Sequence, residues 1–105
     1  MKKLKTIKGT AKVRQMTSRG GNPAPNQFEI WTEKGYYFQS YTSIIYFECK
    51  KTGKKYLDFN DWDYSATTGK YRNEILFEGI AETRRKIANG EYILAHQKLH
   101  INVVG

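Results

Sequence analysis

Gln27-Phe28-Glu29-Ile30-Trp31-Thr32-Glu33-Lys34-Gly35-Tyr36-Tyr37-Phe38-Gln39-Ser40-Tyr41 decides the fold. In its first half Phe28 and Ile30 fall on one face and Glu29 and Trp31 on the other, the period of two that marks a strand. Glu33-Lys34-Gly35 is a short glycine-containing turn into the aromatic run Tyr36–Tyr41. Thr42-Ser43 breaks the pattern before Ile44-Ile45-Tyr46-Phe47-Glu48-Cys49, in which Ile45, Phe47 and Cys49 are expected to face inward. Lys50-Lys51-Thr52-Gly53-Lys54 is another turn, and Lys55-Tyr56-Leu57-Asp58 a short returning strand. Strands at such close spacing predict an antiparallel meander.

Upstream, Thr6 to Met16 also alternates, with Ile7, Gly9, Ala11 and Val13 on one face and Lys8, Thr10, Lys12 and Arg14 on the other. That pattern predicts a half-buried strand whose solvent face is a basic stripe. Thr17 to Asn26, with paired glycines and two prolines, reads as a ten-residue loop. Downstream, Phe59 to Arg72 has no period and is dense in aromatics and hydroxyls. One principal helix follows: Asn73 is its expected N-cap, and Leu76, Ile80, Thr83 and Ile87 recur at helical spacing. Gly90 is its expected C-cap, and Gly79 interrupts it, either kinking it or opening a second helix. Glu91–Ala95, and then Leu99, Ile101 and Val103, predict one or two final strands. The expected class is α+β, an antiparallel β-meander of four to six strands with one principal helix packed on one face. All 105 residues are expected in a single domain, with a basic strand and loop over 1–26 and the meander, aromatic loop, helix and last strand over 27–105.

Eighteen Lys and Arg against ten Asp and Glu give a net charge of +8, unevenly spread. Residues 1–28 carry seven positive charges and no acid, while residues 29–105 carry eleven basic and ten acidic side chains. Such a concentration attracts polyanions or acidic protein surfaces, and as a solvated arm it also aids solubility. It excludes imitation of duplex DNA. The single cysteine, Cys49, excludes an intramolecular disulfide and the multi-cysteine metal frameworks. No apolar run approaches the roughly 20 residues that span a bilayer, and the lysines of Met1–Lys5 lack a following apolar stretch. A soluble, cytoplasmic protein is the expectation.

Chemical motifs fail one by one. A calcium loop opening at Asp61 would place Ala66 where glycine must turn the chain, and Arg72 where a bidentate glutamate must close it. Thr68-Gly69-Lys70 ends like a phosphate loop, yet Tyr64 stands where the first glycine belongs and Tyr71 where Ser or Thr should hold magnesium. Glu48 and Lys50 share a strand face but lack the second carboxylate of a metal-dependent nuclease. His96 and His100 have no nearby third ligand, and Cys49 in an apolar strand reads as a small hydrophobe. No catalytic residue, metal or cofactor is expected, and the chain reads as a binding domain rather than an enzyme.

Binding has more support. Fifteen aromatics include Trp31 on the Glu29 face, and Tyr64 and Tyr71 near Lys70 and Arg72. Rings interleaved with cations suit single-stranded nucleic acid, where bases stack and cations track phosphates. They equally suit a protein interface, which favours Tyr, Trp and Arg as anchors, and a tyrosine-rich core with its hydroxyls at the surface. No signature in the sequence separates the three. The expected contact residues are Lys8, Lys12, Arg14 and Arg19 for the electrostatic surface, and Trp31, Tyr64, Lys70, Tyr71 and Arg72 for specific contacts.

The blocks Tyr37–Tyr41, Lys55–Asp58 and, most specifically, Trp62-Asp63-Tyr64-Ser65-Ala66-Thr67-Thr68-Gly69-Lys70-Tyr71-Arg72-Asn73 resemble a group of small uncharacterised proteins of bacteriophages and mobile elements, grouped as a domain of unknown function. The resemblance spans roughly Asn26 to Tyr92 and carries over no catalytic residue. It implies a phage-type accessory protein. Small proteins of this kind include type II-A anti-CRISPR inhibitors, which implies a guide-RNA-loaded Cas9-type effector as the partner. The alternative function is a phage protein that binds single-stranded DNA or RNA in replication, packaging or regulation.

Overall fold

The computed structural model describes residues 11–96. Six strands form one sheet in sequence order: β1 (Lys12–Thr17), β2 (Pro23–Thr32), β3 (Gly35–Ser40), β4 (Ser43–Cys49), β5 (Lys55–Asp58) and β6 (Tyr92–Ala95). The helices α1 (Ala66–Leu76) and α2 (Ile80–Ala88) lie between β5 and β6. The first five strands are the expected antiparallel meander. The last pairing departs from it: β6 runs parallel to β5, with Leu57 opposite Leu94, so the sheet is mixed. A parallel neighbour needs a crossover, and the two helices supply it. No described helix is long and apolar enough to cross a membrane.

Alternation along the strands gives the sheet two apolar faces. One carries Met16, Phe38, Tyr46, Leu57 and Tyr92, against which Tyr71, Ile75 and Leu76 of α1 and Ile87 of α2 pack. The other carries Ile30, Tyr37, Ile44 and Phe47, with Cys49, Tyr56 and Ala95 beside them. Tyr37 stacks on Phe47 at 4.5 Å between ring centroids, and Phe47 on Tyr56 at 5.9 Å. The β3–β4 register skips a residue between Tyr46 and Ile44, so Ile45 and Tyr46 both join the helix-side core.

The helical region holds two helices, the second of the two alternatives for Gly79, and the first starts earlier than expected. α1 begins at Ala66, seven residues before Asn73, and its N-cap is Ser65, whose hydroxyl accepts the Thr68 N–H at 3.1 Å. It ends at Phe77, and Gly79 is the N-cap of α2 rather than a kink. The tail of the supposed aromatic loop is therefore helical. Its other half, Phe59–Tyr64, is held by Asp58, whose Oδ2 accepts the N–H groups of Asn60 (3.1 Å) and Asp61 (2.8 Å). The expected loop before β2 is also shorter, since Pro23 and Pro25 are strand residues. β3 ends where Ser40 pairs with Gln27, so neither proline faces a β3 residue that would need its missing N–H. The expected strand around Leu99, Ile101 and Val103 lies outside the described residues.

Candidate binding surfaces

Strand direction sorts the surface into two ends. Lys12, Thr32, Gly35, Cys49 and Lys55 lie at one end of their strands; Thr17, Pro23, Ser40, Ser43 and Asp58 lie at the other. With about 3.3 Å per residue, the six residues of β1 separate the two ends by roughly 17–20 Å.

At the Thr17 end, the β1–β2 loop and α1 enclose an open groove of about 980 Å³, lined by Thr17, Ser18, Arg19, Lys70, Asn73, Glu74 and Phe77. Gly21 N–H to Ser18 carbonyl (2.9 Å) and Ser18 N–H to Asn22 carbonyl (2.7 Å) fold the loop beside it. Phe77 is the C-cap of α1, with φ 57° and ψ 43°, a left-handed conformation that helix ends usually give to glycine. Its N–H bonds the Asn73 and Glu74 carbonyls, which fixes the turn. The residue is 93% exposed.

At the Lys12 end, Trp31 is 37% exposed, lies 5.6 Å from the Tyr36 ring and pairs with Lys12 of the neighbouring β1. Trp31, Thr32, Gly35, Tyr36, Glu48 and Lys50 line a shallow recess of about 360 Å³. The Tyr36 hydroxyl donates to Glu29 Oε2 at 2.7 Å, and the Arg14 guanidinium donates to the other oxygen. Burial and this bond to Glu29 hold the Tyr36 hydroxyl protonated, far above its ordinary range. The turns around the recess carry Lys34, Lys50, Lys51 and Lys54, and β5 opens with Lys55. No ion pair engages these five lysines or Lys12 among the described residues. The nearby acids are Glu33, Glu48 and Glu91, and Glu48 accepts the Tyr46 hydroxyl at 2.9 Å. Cys49 sits half-buried here, and hydrogen bonds from Thr52 draw its thiol below the ordinary range.

The expected contact residues divide accordingly. Arg19 and Lys70, 51 positions apart in sequence, line the same groove. Lys12 and Trp31 share the opposite end. Arg14 is exposed but committed to Glu29. Tyr64 is exposed just before α1, outside the residues that line either recess. Lys8 lies outside the described residues.

Tyr71 and Arg72 are corrections, because both point into the interior. Tyr71 belongs to the helix-side core, beneath Lys70 whose Nζ is 5.2 Å from its ring centre. Arg72 is 1% exposed, with Nη1 2.8 Å from the Trp62 carbonyl and 3.0 Å from Asp63 Oδ1, and Nη2 2.9 Å from Asn73 Oδ1. These residues build the surface from behind and cannot touch a partner directly. Phe77 and the lysine turns are not among the contact residues expected from the sequence. A helix that ends on a large apolar residue three positions before the next helix was the available signal for Phe77. The turns were legible, but only the sheet topology places them at one end.

The fold and these two surfaces describe a small basic α+β domain. Among the described residues, no group of three His, Cys, Asp or Glu side chains is placed to hold a metal ion. The chain belongs to the family of unknown function DUF8033, whose family model matches residues 11–90. No curated protein and no solved structure matches the chain.

Proposed function

We propose that this protein acts by binding rather than by catalysis, as a phage-type accessory protein in the host cytoplasm that docks on a protein partner through the groove beside Phe77. Phe77 is the observation that carries the reading. A left-handed conformation costs an ordinary L-residue about 1–2 kcal/mol, and a ring left in water recovers none of it. Glycine would cap the helix better. A large aromatic presented outward from a fixed helix cap is instead what an interface uses as an anchor in a partner's pocket. Arg19 and Lys70 on the same groove add positive charge suited to an acidic rim, with Glu74 between them as the local exception.

The resemblance to small phage proteins that include type II-A anti-CRISPR inhibitors selects a guide-RNA-loaded Cas9-type nuclease as the first partner. At +8 the chain cannot occupy such an effector by mimicking DNA. Docking on the guide-loaded complex, or obstruction of the nuclease-domain rearrangement that licenses cleavage, fits the charge. Nucleic-acid binding in replication, packaging or regulation is the second reading, and the lysine-rich end favours it. Interferometry and a cleavage assay with the guide-loaded nuclease test the first. Phe77→Ala should weaken binding about 30-fold or more, the loss expected of an interface anchor, and relieve inhibition in parallel. Absence of binding by the native chain, or a Phe77→Ala variant as potent as the native chain, would overturn it.

A further inference from the structure

We infer that the Lys12 end of the sheet is a site for single-stranded nucleic acid, with Trp31 as the surface on which one base stacks. The inference stands apart from the proposed protein partner, since it concerns the other end of the sheet and none of the groove residues.

Its basis is the way two turns are joined. Lys50 donates its N–H to the Lys34 carbonyl at 2.9 Å, so the β2–β3 and β4–β5 turns form one platform. Gly35 makes the approach possible: with φ +148°, a Cβ there would stand 2.0 Å from the Glu48 carbonyl oxygen. The second turn is closed by Cys49 N–H to Lys54 carbonyl (2.9 Å) and Gly53 N–H to Cys49 carbonyl (2.8 Å). Lys34, Lys50, Lys51, Lys54 and Lys55 are thereby gathered from 22 residues of sequence at one end of the sheet, with Lys12 of β1 opposite Trp31 at the same end. Against these six lysines stand Glu33, Glu48 and Glu91, while Glu29 on the Trp31 face is paired with Arg14.

The ring geometry sets the ligand class. Trp31 is braced at 51° against Tyr36, and Tyr36 is itself fixed by Glu29. One indole face is thus supported while the side chain stays partly exposed beside an open, largely apolar recess. A paired base in a duplex offers no free face, whereas an unpaired one does. The cations without an ion pair among the described residues here are all lysines, compact charges that follow phosphates without the planar fork that reads guanine, and the one arginine, Arg14, is taken up by Glu29. Together they specify backbone tracking with sequence-tolerant stacking.

The test uses the full chain and labelled 12-nucleotide single-stranded DNA, the same RNA, and the DNA duplex, by anisotropy at about 50 and 200 mM salt. Binding to single strands in preference to duplex, weakening with salt, is expected. The DNA and RNA arms distinguish the two sources. Trp31→Ala should weaken binding at least fivefold at both salt concentrations. Lys50→Ala with Lys54→Ala should reduce the salt slope by about 1.4, near 0.7 per lost contact. Phe77→Ala should change nothing here, which separates failure of this site from failure of the groove. Far-ultraviolet dichroism confirms that each surface variant is folded. Equal or stronger binding to duplex, insensitivity to Trp31→Ala, loss only when Lys2, Lys3, Lys5 and Lys8 are removed, or no binding to any oligonucleotide would each overturn the site.

Discussion

Arg72 and Asp63 form an ion pair at 3.0 Å in which the arginine is enclosed and the aspartate is open to solvent. The guanidinium also lies 5.2 Å from the Trp62 ring centre and donates to the Trp62 carbonyl, so it ties the segment before α1 to the helix itself. Arg84 reaches the second Asp63 oxygen at 3.8 Å and adds α2 to the same node.

Loss of that node should be a stability event. Arg72→Ala removes a buried side chain and three hydrogen bonds, and should cost about 3 kcal/mol, with Asp63→Ala costing less because its carboxylate is partly hydrated. Urea titration measures both. If Arg72→Ala unfolds at the native midpoint and loses partner binding, Arg72 is a contact residue after all.

The misplacement of Tyr71 and Arg72 in sequence has a physical source. The buried residues of α1 are Thr68, Gly69, Tyr71 and Arg72, a set with almost no apolar period. Thr68 is buried because its hydroxyl meets Ser40 at 2.8 Å and Ser65 at 3.1 Å. Hydrogen bonds and an ion pair hold that face, and hydropathy cannot register them. The strands were legible because alternation of Phe28, Ile30, Tyr37 and Phe47 survives in any two-sided sheet. The parallel direction of β6 was not, since four residues carry no sign of orientation. The lysine platform is invisible in the net charge of the body. The body nets +1 only because acids such as Glu78, Glu82 and Asp63 are counted, and these are paired with cations on the helices rather than with the turn lysines.

The contact between α2 and β6 should respond to acid. Glu78 accepts from Lys86 (2.8 Å), Thr83 (2.7 Å) and the Tyr92 hydroxyl (3.0 Å). Burial alone would raise its carboxyl pKa, but these bonds outweigh it and hold the group below the ordinary range. A folded pKa below the unfolded one means stability that is fully present above the ordinary glutamate pKa, about 4.3, and lost as pH falls through the folded value. Stability measured against pH should therefore decline on the acid side, and Glu78→Gln should flatten that limb while lowering the neutral plateau. An unchanged acid limb in Glu78→Gln would assign the decline to other carboxylates.

Gln27 offers the opposite kind of test. It is 0% exposed, opposite Ser40, and neither amide atom has a hydrogen-bond partner among the described residues. An unpartnered buried amide costs about 1–3 kcal/mol, and methionine has similar length without that cost. Gln27→Met should raise the unfolding free energy by about 1 kcal/mol, read as a higher denaturation midpoint. A fall instead would mean that the amide is satisfied in solution.

Phe77 should expose a conflict between stability and function. Because the residue is almost wholly exposed, Phe77→Gly removes little packing, and it relieves the left-handed backbone at φ 57°. The variant should gain about 1 kcal/mol, which for a domain of this size corresponds to a rise of about 4–8 °C in Tm. Phe77→Asn, which also tolerates that conformation, should gain part of it. Both should lose the protein partner by the same factor as Phe77→Ala, while single-strand binding at the Lys12 end stays intact. Calorimetry on the three variants beside the binding assays separates the possibilities. A lower Tm in Phe77→Gly would show that the ring packs in solution, and a higher Tm with full partner affinity would leave the exposed ring without the anchoring role assigned to it.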